Sequence, residues 1–170
     1  THSTDPRGVA HKNPKPMPNT FTQIYIHIVF AVRNRNAQIN QSWEDKLFKY
    51  ITGTVQKSGQ KMLRINGIQN HIHFLIGIKP DCRISDLVRE TKKSSSSFIK
   101  ENKLTKFNFQ WQTGYGAFSV SHSQLDKVIN YIINQKEHHK KKTFKEEYLE
   151  FLNKYMIEYD EKYLFEWIDD

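Results

Sequence analysis

A single cysteine, Cys82, stands in 170 residues, so no intramolecular disulfide can staple this chain and a reducing, cytoplasmic setting is expected. Long apolar runs are missing too. Nothing approaches the roughly 20 residues of a membrane span, or the core of a secretory signal, so no membrane partner is expected. Acidic residues are in deficit, 18 Asp and Glu against 26 Lys and Arg, for a formal charge of +8. That imbalance points to a polyanionic partner, nucleic acid before membrane, since no basic amphipathic anchor stands out. Thr1 to Pro16 lacks apolar periodicity and carries Pro6, Gly8, Pro14 and Pro16. Residues 1–16 are expected to be a disordered lead or an expression remnant, with Met17 a natural start and 17–170 a single domain able to bury a core.

From Phe21 the chain becomes regular. Thr22 to Val32 is dense in β-branched and aromatic residues and predicts a central strand, with His27 packed or hydrogen-bonded inside the sheet. Ser42 can cap a helix from Trp43 towards Lys57, whose Leu47, Phe48, Ile51 and Val55 recur at helical spacing. Two further β segments follow, Met62 to Ile65 and the run around His71, broken at Asn66-Gly67 by a hairpin turn or a bulge. Ser85 or Asp86 can start a second helix through Leu87, Val88, Phe98 and Ile99; its run Ser94 to Ser97 reads as a small polar helix face lying against something, or as linker. Phe107 to Gln112 and Ala117 to Ser121 alternate around a Thr113-Gly114-Tyr115-Gly116 turn, a β-loop-β unit. Tyr115 can stack an unpaired base or simply fill the core. Thr143 caps a C-terminal helix that puts Phe144, Tyr148, Leu152 and Tyr155 on one face. The acidic end beyond it packs back on the domain, crosses a dimer or masks the basic groove.

Two features carry chemistry. In Asn66 to Ile78, His71 and His73 lie two apart on a strand, so both imidazoles project from one face: half of a metal site, or a polar sheet face that happens to hold histidines. Ser123 can cap a helix from Gln124 to about Lys140, with the apolar stripe Leu125, Val128, Ile129, Ile132 and Ile133. Tyr131 and Gln135 are then neighbours one turn apart on its flank, with His138 in the same row and His139 on the apolar side.

Taken together, the blocks Asn66 to Ile76, Trp111 to Ser119 and Tyr131 to Gln135 resemble the HUH-type single-tyrosine transposases of the insertion-sequence 200/605 family, over essentially Met17 to Asp170. The resemblance implies that His71, His73 and Gln135 bind a divalent ion, Mg2+ or Mn2+, and that Tyr131 is the nucleophile. It implies cutting and rejoining of hairpin-marked single-stranded DNA through a 5′-phosphotyrosine link, by a homodimer whose active sites can be shared between subunits. Asn70 departs from the acidic residue many members carry there. The implied fold is α+β, a ferredoxin-like or RRM-like, mainly antiparallel sheet of about five strands with helices packed on it.

Basic residues mark candidate phosphate contacts: Arg33 and Arg35 after the first strand, Lys92 and Lys93 in the second helix, and Lys140, Lys141 and Lys142 after the tyrosine helix, with Tyr115 as the stacking aromatic. Rival readings fare differently. A histidine-triad hydrolase needs a third histidine where Leu75 stands. A non-catalytic RRM-like binder of single strands leaves the joint occurrence of His71, His73, Tyr131 and Gln135 unexplained. A domesticated relative that nicks chromosomal repeats keeps all four.

Overall fold

The computed structural model describes residues 20–168; the expectation for residues 1–16 lies outside the described residues. Four strands, β1 (Ile24–Ala31), β2 (Lys61–Ile68), β3 (His71–Ile78) and β4 (Gly116–Val120), form an antiparallel sheet in the order β2-β3-β1-β4. With α1 (Glu44–Lys57) between β1 and β2, and α2 (Ile84–Glu101) between β3 and β4, this is the ferredoxin-like α+β arrangement. Helices α3 (Leu125–Ile133), α4 (Gln135–His138) and α5 (Phe144–Lys154) follow. None of the described helices is long and apolar enough to cross a membrane.

The alternation of the central strands sorts the two faces. Ile26, Ile28 and Phe30 of β1 oppose Ile76, Phe74 and Ile72 of β3, and all are buried on the face that α1 and α2 cover. α1 contributes Leu47, Phe48, Ile51 and Val55 to that core, each removal from water worth about 1.5–3 kcal/mol. Tyr50 of α1 stacks on Phe98 of α2 at 4.2 Å. The other face, carrying His27, His71, His73, Leu75 and Phe118, receives α3, α4 and α5. Helices therefore lie on both faces of the sheet.

Several local expectations shift. The sheet has four strands where about five were expected, because Phe107 to Gln112 pairs only through a Val32–Trp111 bridge. Side chains fix that segment instead: Trp111 sits edge-on to Phe30 at 4.7 Å and donates its indole N–H to Ser95 Oγ at 2.9 Å, and the Gln112 amide donates to the Val32 and Glu166 carbonyls. The serine run is helical, with Thr91 and Ser95 as its buried polar face. The β2–β3 turn falls at Gln69-Asn70, and the register shift lies between Met62 and Arg64, so Asn66-Gly67 is neither turn nor bulge. Gly67 is demanded by close approach instead, since a Cβ there would lie 2.4 Å from the His71 carbonyl oxygen. Ser42 does not cap α1; its N–H donates to Asn40 Oδ1. Nor does Ser123 cap α3, which starts at Leu125 after a single turn of 3-10 helix.

Candidate active site

β3 fixes the centre of the site. His71 and His73 are fully buried with ring centroids 4.9 Å apart, while Ile72 between them faces the other core. Each imidazole is anchored at Nδ1. His71 Nδ1–H donates to Asn70 Oδ1 at 2.7 Å, and His73 Nδ1 shares a hydrogen bond with His27 Nε2 at 2.9 Å. His27 is thus held inside the sheet, as its strand position suggested. Phe144 of α5 stacks flat on His71 at 3.8 Å, with 9° between the ring planes.

The tyrosine helix arrives from the other side. It is not continuous to Lys140: α3 ends at Ile133, and Asn134 joins it to α4. Asn66 of β2 donates its amide to the carbonyls of both Ile132 and Ile133, at 3.0 Å each, capturing acceptors that a continuing helix would use. Tyr131, half-buried, points its hydroxyl at the site, and His138 stacks on its ring at 4.6 Å. Gln135 is buried with Oε1 3.2 Å from Nε2 of both His71 and His139. Tyr131, Gln135, His71 and His73 therefore meet within one polypeptide.

Two residues that sequence reasoning did not assign to the site join them. Glu147 of α5 is 2% exposed and sits at the hub. Its Oε1 lies 2.9 Å from His73 Nε2 and 3.2 Å from His71 Nε2; its Oε2 lies 3.3 Å from His139 Nε2, accepts from Gln135 Nε2 at 3.0 Å, and accepts the Tyr131 hydroxyl. The one signal in sequence was a carboxylate three residues after Phe144, on the face that the Thr143–Glu146 capping box turns inward. His139, the second, hydrogen-bonds through Nδ1 to the Lys142 carbonyl at 2.9 Å.

His71, His73, His139 and Glu147 offer ligand atoms all within 4.8 Å of one another, a group that could hold a divalent metal. The donor chemistry fits. A carbonyl oxygen can only accept, so the Nδ1 of His139 carries its proton and a neutral ring leaves Nε2 as a lone pair aimed at the cluster; Asn70 Oδ1 does the same for His71.

Burial governs the electrostatics. It pushes the His71 imidazole down to about 4, against the pull of its contacts with Glu147. Burial opposes ionisation of Glu147 as well, yet its contacts with His73, His139 and His71 outweigh it and hold the carboxyl well below its usual range. Burial and then the Glu147 carboxylate push the Tyr131 hydroxyl up, so the phenol stays protonated.

The candidate DNA contacts divide between two places. Arg33, Lys92, Lys93 and Tyr115 line a groove of about 640 Å³ between α2 and the segment before β4. Lys92 there donates to the Gln112 and Gly114 carbonyls, lies over the Phe30 ring and is lowered to about 8 by burial. Tyr115 is partly packed against the main core. Arg35 donates to the Ile168 carbonyl at 2.6 Å. Across the sheet, Lys141 and Lys142 line a smaller cavity with Tyr131 and His138, Lys142 pairing with Glu150 at 2.6 Å and Lys140 with Glu137 at 2.9 Å. A separate cavity of about 550 Å³ opens on the far side of Tyr131, between β4, α3 and α5.

Comparison with known proteins bears on this geometry. The family profile described as "Transposase IS200 like" matches residues 20–135, ending at Gln135 and so short of His139 and Glu147. No curated protein matches. Among solved structures, the chain is similar to a protein described as a transposase of Deinococcus radiodurans R1, with TM-score 0.57 and 20% identity over 71% of this chain and 97% of that one. It is also similar to a REP-associated tyrosine transposase bound to a REP hairpin, with TM-score 0.54 and 18% identity over 68% of each chain. At these identities the likeness is one of fold.

Proposed function

Given that this chain belongs to the IS200-like transposase family, shown by the match over residues 20–135, we propose that it cuts and rejoins hairpin-bearing single-stranded DNA with Tyr131 as nucleophile. The observation that carries the reading is the convergence, in one buried cluster, of the Tyr131 hydroxyl with His71, His73 and Gln135. A binding module has no use for a half-exposed phenol hydrogen-bonded to a carboxylate beside buried imidazoles.

The chemistry follows from the residue types. Tyr131 Oη forms a bond to the phosphorus of the scissile phosphate as the P–O3′ bond breaks, and the departing 3′-oxygen takes a proton. The 5′-phosphotyrosine retains an ester bond that a later 3′-hydroxyl can attack to rejoin strands, which hydrolysis by water would forfeit. The phenolic proton is aimed at Glu147 Oε2. A divalent ion, Mg2+ or Mn2+ from the resemblance, would be held by His71, His73 and Gln135; bound there, it supplies Lewis-acid polarisation of the phosphate and stabilises the leaving oxygen. His27 and Asn70 orient the two sheet histidines, and Phe144 excludes water from the face of His71.

Lys141 and Lys142 beside Tyr131, and Lys140 next to them, are suited to backbone phosphates near the cut. The groove of Arg33, Lys92, Lys93 and Tyr115 is suited to the hairpin, with Arg35 close by in sequence. A cytoplasmic setting and two-fold pairing complete the proposal, the first supported by a DNA substrate and a lone cysteine.

The test incubates the protein with end-labelled hairpin DNA and divalent metal, then denatures it. A covalent protein–DNA adduct is expected with wild type and Tyr115→Phe and is absent with Tyr131→Phe. An adduct that survives Tyr131→Phe overturns the assignment; DNA binding without any adduct returns the chain to the single-strand binders.

A further inference from the structure

The ligand set that the family resemblance implies, His71, His73 and Gln135, leaves the most constrained side chain of the site outside the ion's ligands. Glu147 is a buried carboxylate whose ion-pair partners among the described residues are three imidazoles, those of His71, His73 and His139. An ionised carboxylate removed from water needs a positive partner or hydrogen-bond donors on every side. Oε2 has the Tyr131 hydroxyl and the Gln135 amide as donors, but two of the imidazoles are poorly placed to add to them. His139 gives its Nδ1 proton to the Lys142 carbonyl and His71 gives its own to Asn70 Oδ1, so as neutral rings both turn acceptor nitrogens towards an acceptor oxygen. Gln135 adds Oε1 to the same crowd, 3.2 Å from both nitrogens. Acceptors converging at such distances are mutually repulsive unless a proton or a metal cation lies among them.

We propose that Glu147 and His139 coordinate the ion directly, and that the resulting set of three imidazoles and one carboxylate makes the centre a site for a transition ion, cobalt or zinc ahead of manganese, in place of magnesium. The inference rests on the proposed function only in sharing His71 and His73, because ion binding is measurable without DNA. Donor separations support it. The His–Glu147 contacts of 2.9 and 3.2 Å to Oε1 and 3.3 Å to Oε2 are near the roughly 3.4 Å edge of a tetrahedron with bonds of about 2.1 Å, and the four ligand atoms all lie within 4.8 Å of one another. Magnesium binds through oxygen and keeps several waters, whereas this set is mostly nitrogen and buried.

The anchoring completes the case. Each sheet or helix imidazole is held at Nδ1 by Asn70, His27 or the Lys142 carbonyl, the outer-shell pattern that orients histidine ligands towards metals. Coordination would also cross-link three elements of the fold. Strand β3 supplies two donors, the turn after α4 supplies His139 and α5 supplies Glu147. Because Glu147 Oε2 also accepts the Tyr131 hydroxyl, the ion would position the nucleophile through one carboxylate.

Titration calorimetry on metal-stripped full-length protein tests the set, with Mn2+, Co2+ and Mg2+ each added alone. One equivalent of Mn2+ or Co2+ is expected to bind at least about tenfold more tightly than Mg2+. Glu147→Gln and His139→Ala should each weaken Mn2+ by at least about tenfold, and Gln135→Ala by less. The visible spectrum of the Co2+ form of wild type, which needs no variant to fold, should report a low-coordinate, nitrogen-rich ion and change with Glu147→Gln. The proposal is overturned by Mg2+ binding as tightly as Mn2+, by a six-coordinate cobalt spectrum, or by Gln135→Ala outweighing Glu147→Gln. Loss of the DNA adduct with these affinities intact would sink the proposed reaction and leave the centre standing.

Discussion

Acidification of the metal-free protein offers a quantitative check on the buried histidines. His71 has an ordinary value of 6.5 and is lowered to about 4, chiefly by burial. The folded chain therefore favours the neutral ring, and the unfolded chain takes up the proton first. Stability from this group is fully present above pH 6.5, declines as pH falls and is gone below about pH 4. Between pH 7 and pH 4.5 the loss is about 2 kcal/mol, a large share of the 5–15 kcal/mol typical of a domain. His27 is lowered in the same direction by burial and by His73, so it adds to the wild-type decline. The comparison with His71→Gln isolates the His71 part. Urea unfolding at both pH values, with chelator present, should show wild type losing about 2 kcal/mol more than His71→Gln over this interval. Parallel losses in the two proteins would refute the claim that His71 is buried as a neutral ring.

Gly67→Ala should destabilise the fold by about 1–3 kcal/mol, since its Cβ would press on the backbone of His71 and Ile72; a thermal midpoint within 1–2 degrees of wild type, read against a shift of several degrees per kcal/mol, would contradict the close packing of β2 on β3. Lys141→Gln, beside Tyr131, should weaken single-stranded DNA binding and reduce the slope of log affinity against log salt by about 0.7. An unchanged slope would remove Lys141 from the phosphate path.

What sequence made legible was local. β-branched density marked β1, helical spacing marked α1 and α2, and the cap at Thr143 placed α5 with Phe144, Tyr148 and Leu152 inward. The two-residue period put both sheet imidazoles on one face. Features decided by distant partners were not legible. Asn66-Gly67 has hairpin chemistry, but the pairing of Asn66 with His73 and Gly67 with Ile72 continues the ladder through it. The break after Ile133 depends on an amide sixty-odd residues earlier in the chain. Phe107 to Gln112 alternates like a strand, yet its aromatics and Gln112 find partners that hold it out of the sheet. Glu147 belongs to no short motif with the histidines; 74 residues separate it from His73, and only the fold makes them neighbours.

The two layers on this sheet answer to different rules of substitution. Against α1 and α2 lies a broad apolar bed, where one hydrocarbon shape can be exchanged for another of similar bulk at modest cost. On the opposite side the purely apolar cluster shrinks to Leu75, Val120 and Ile132 beside a knot of imidazoles, amide and carboxylate, in which each proton has an assigned place. Drift can therefore reshape the first layer freely, while the second admits only coordinated replacements that leave every lone pair answered.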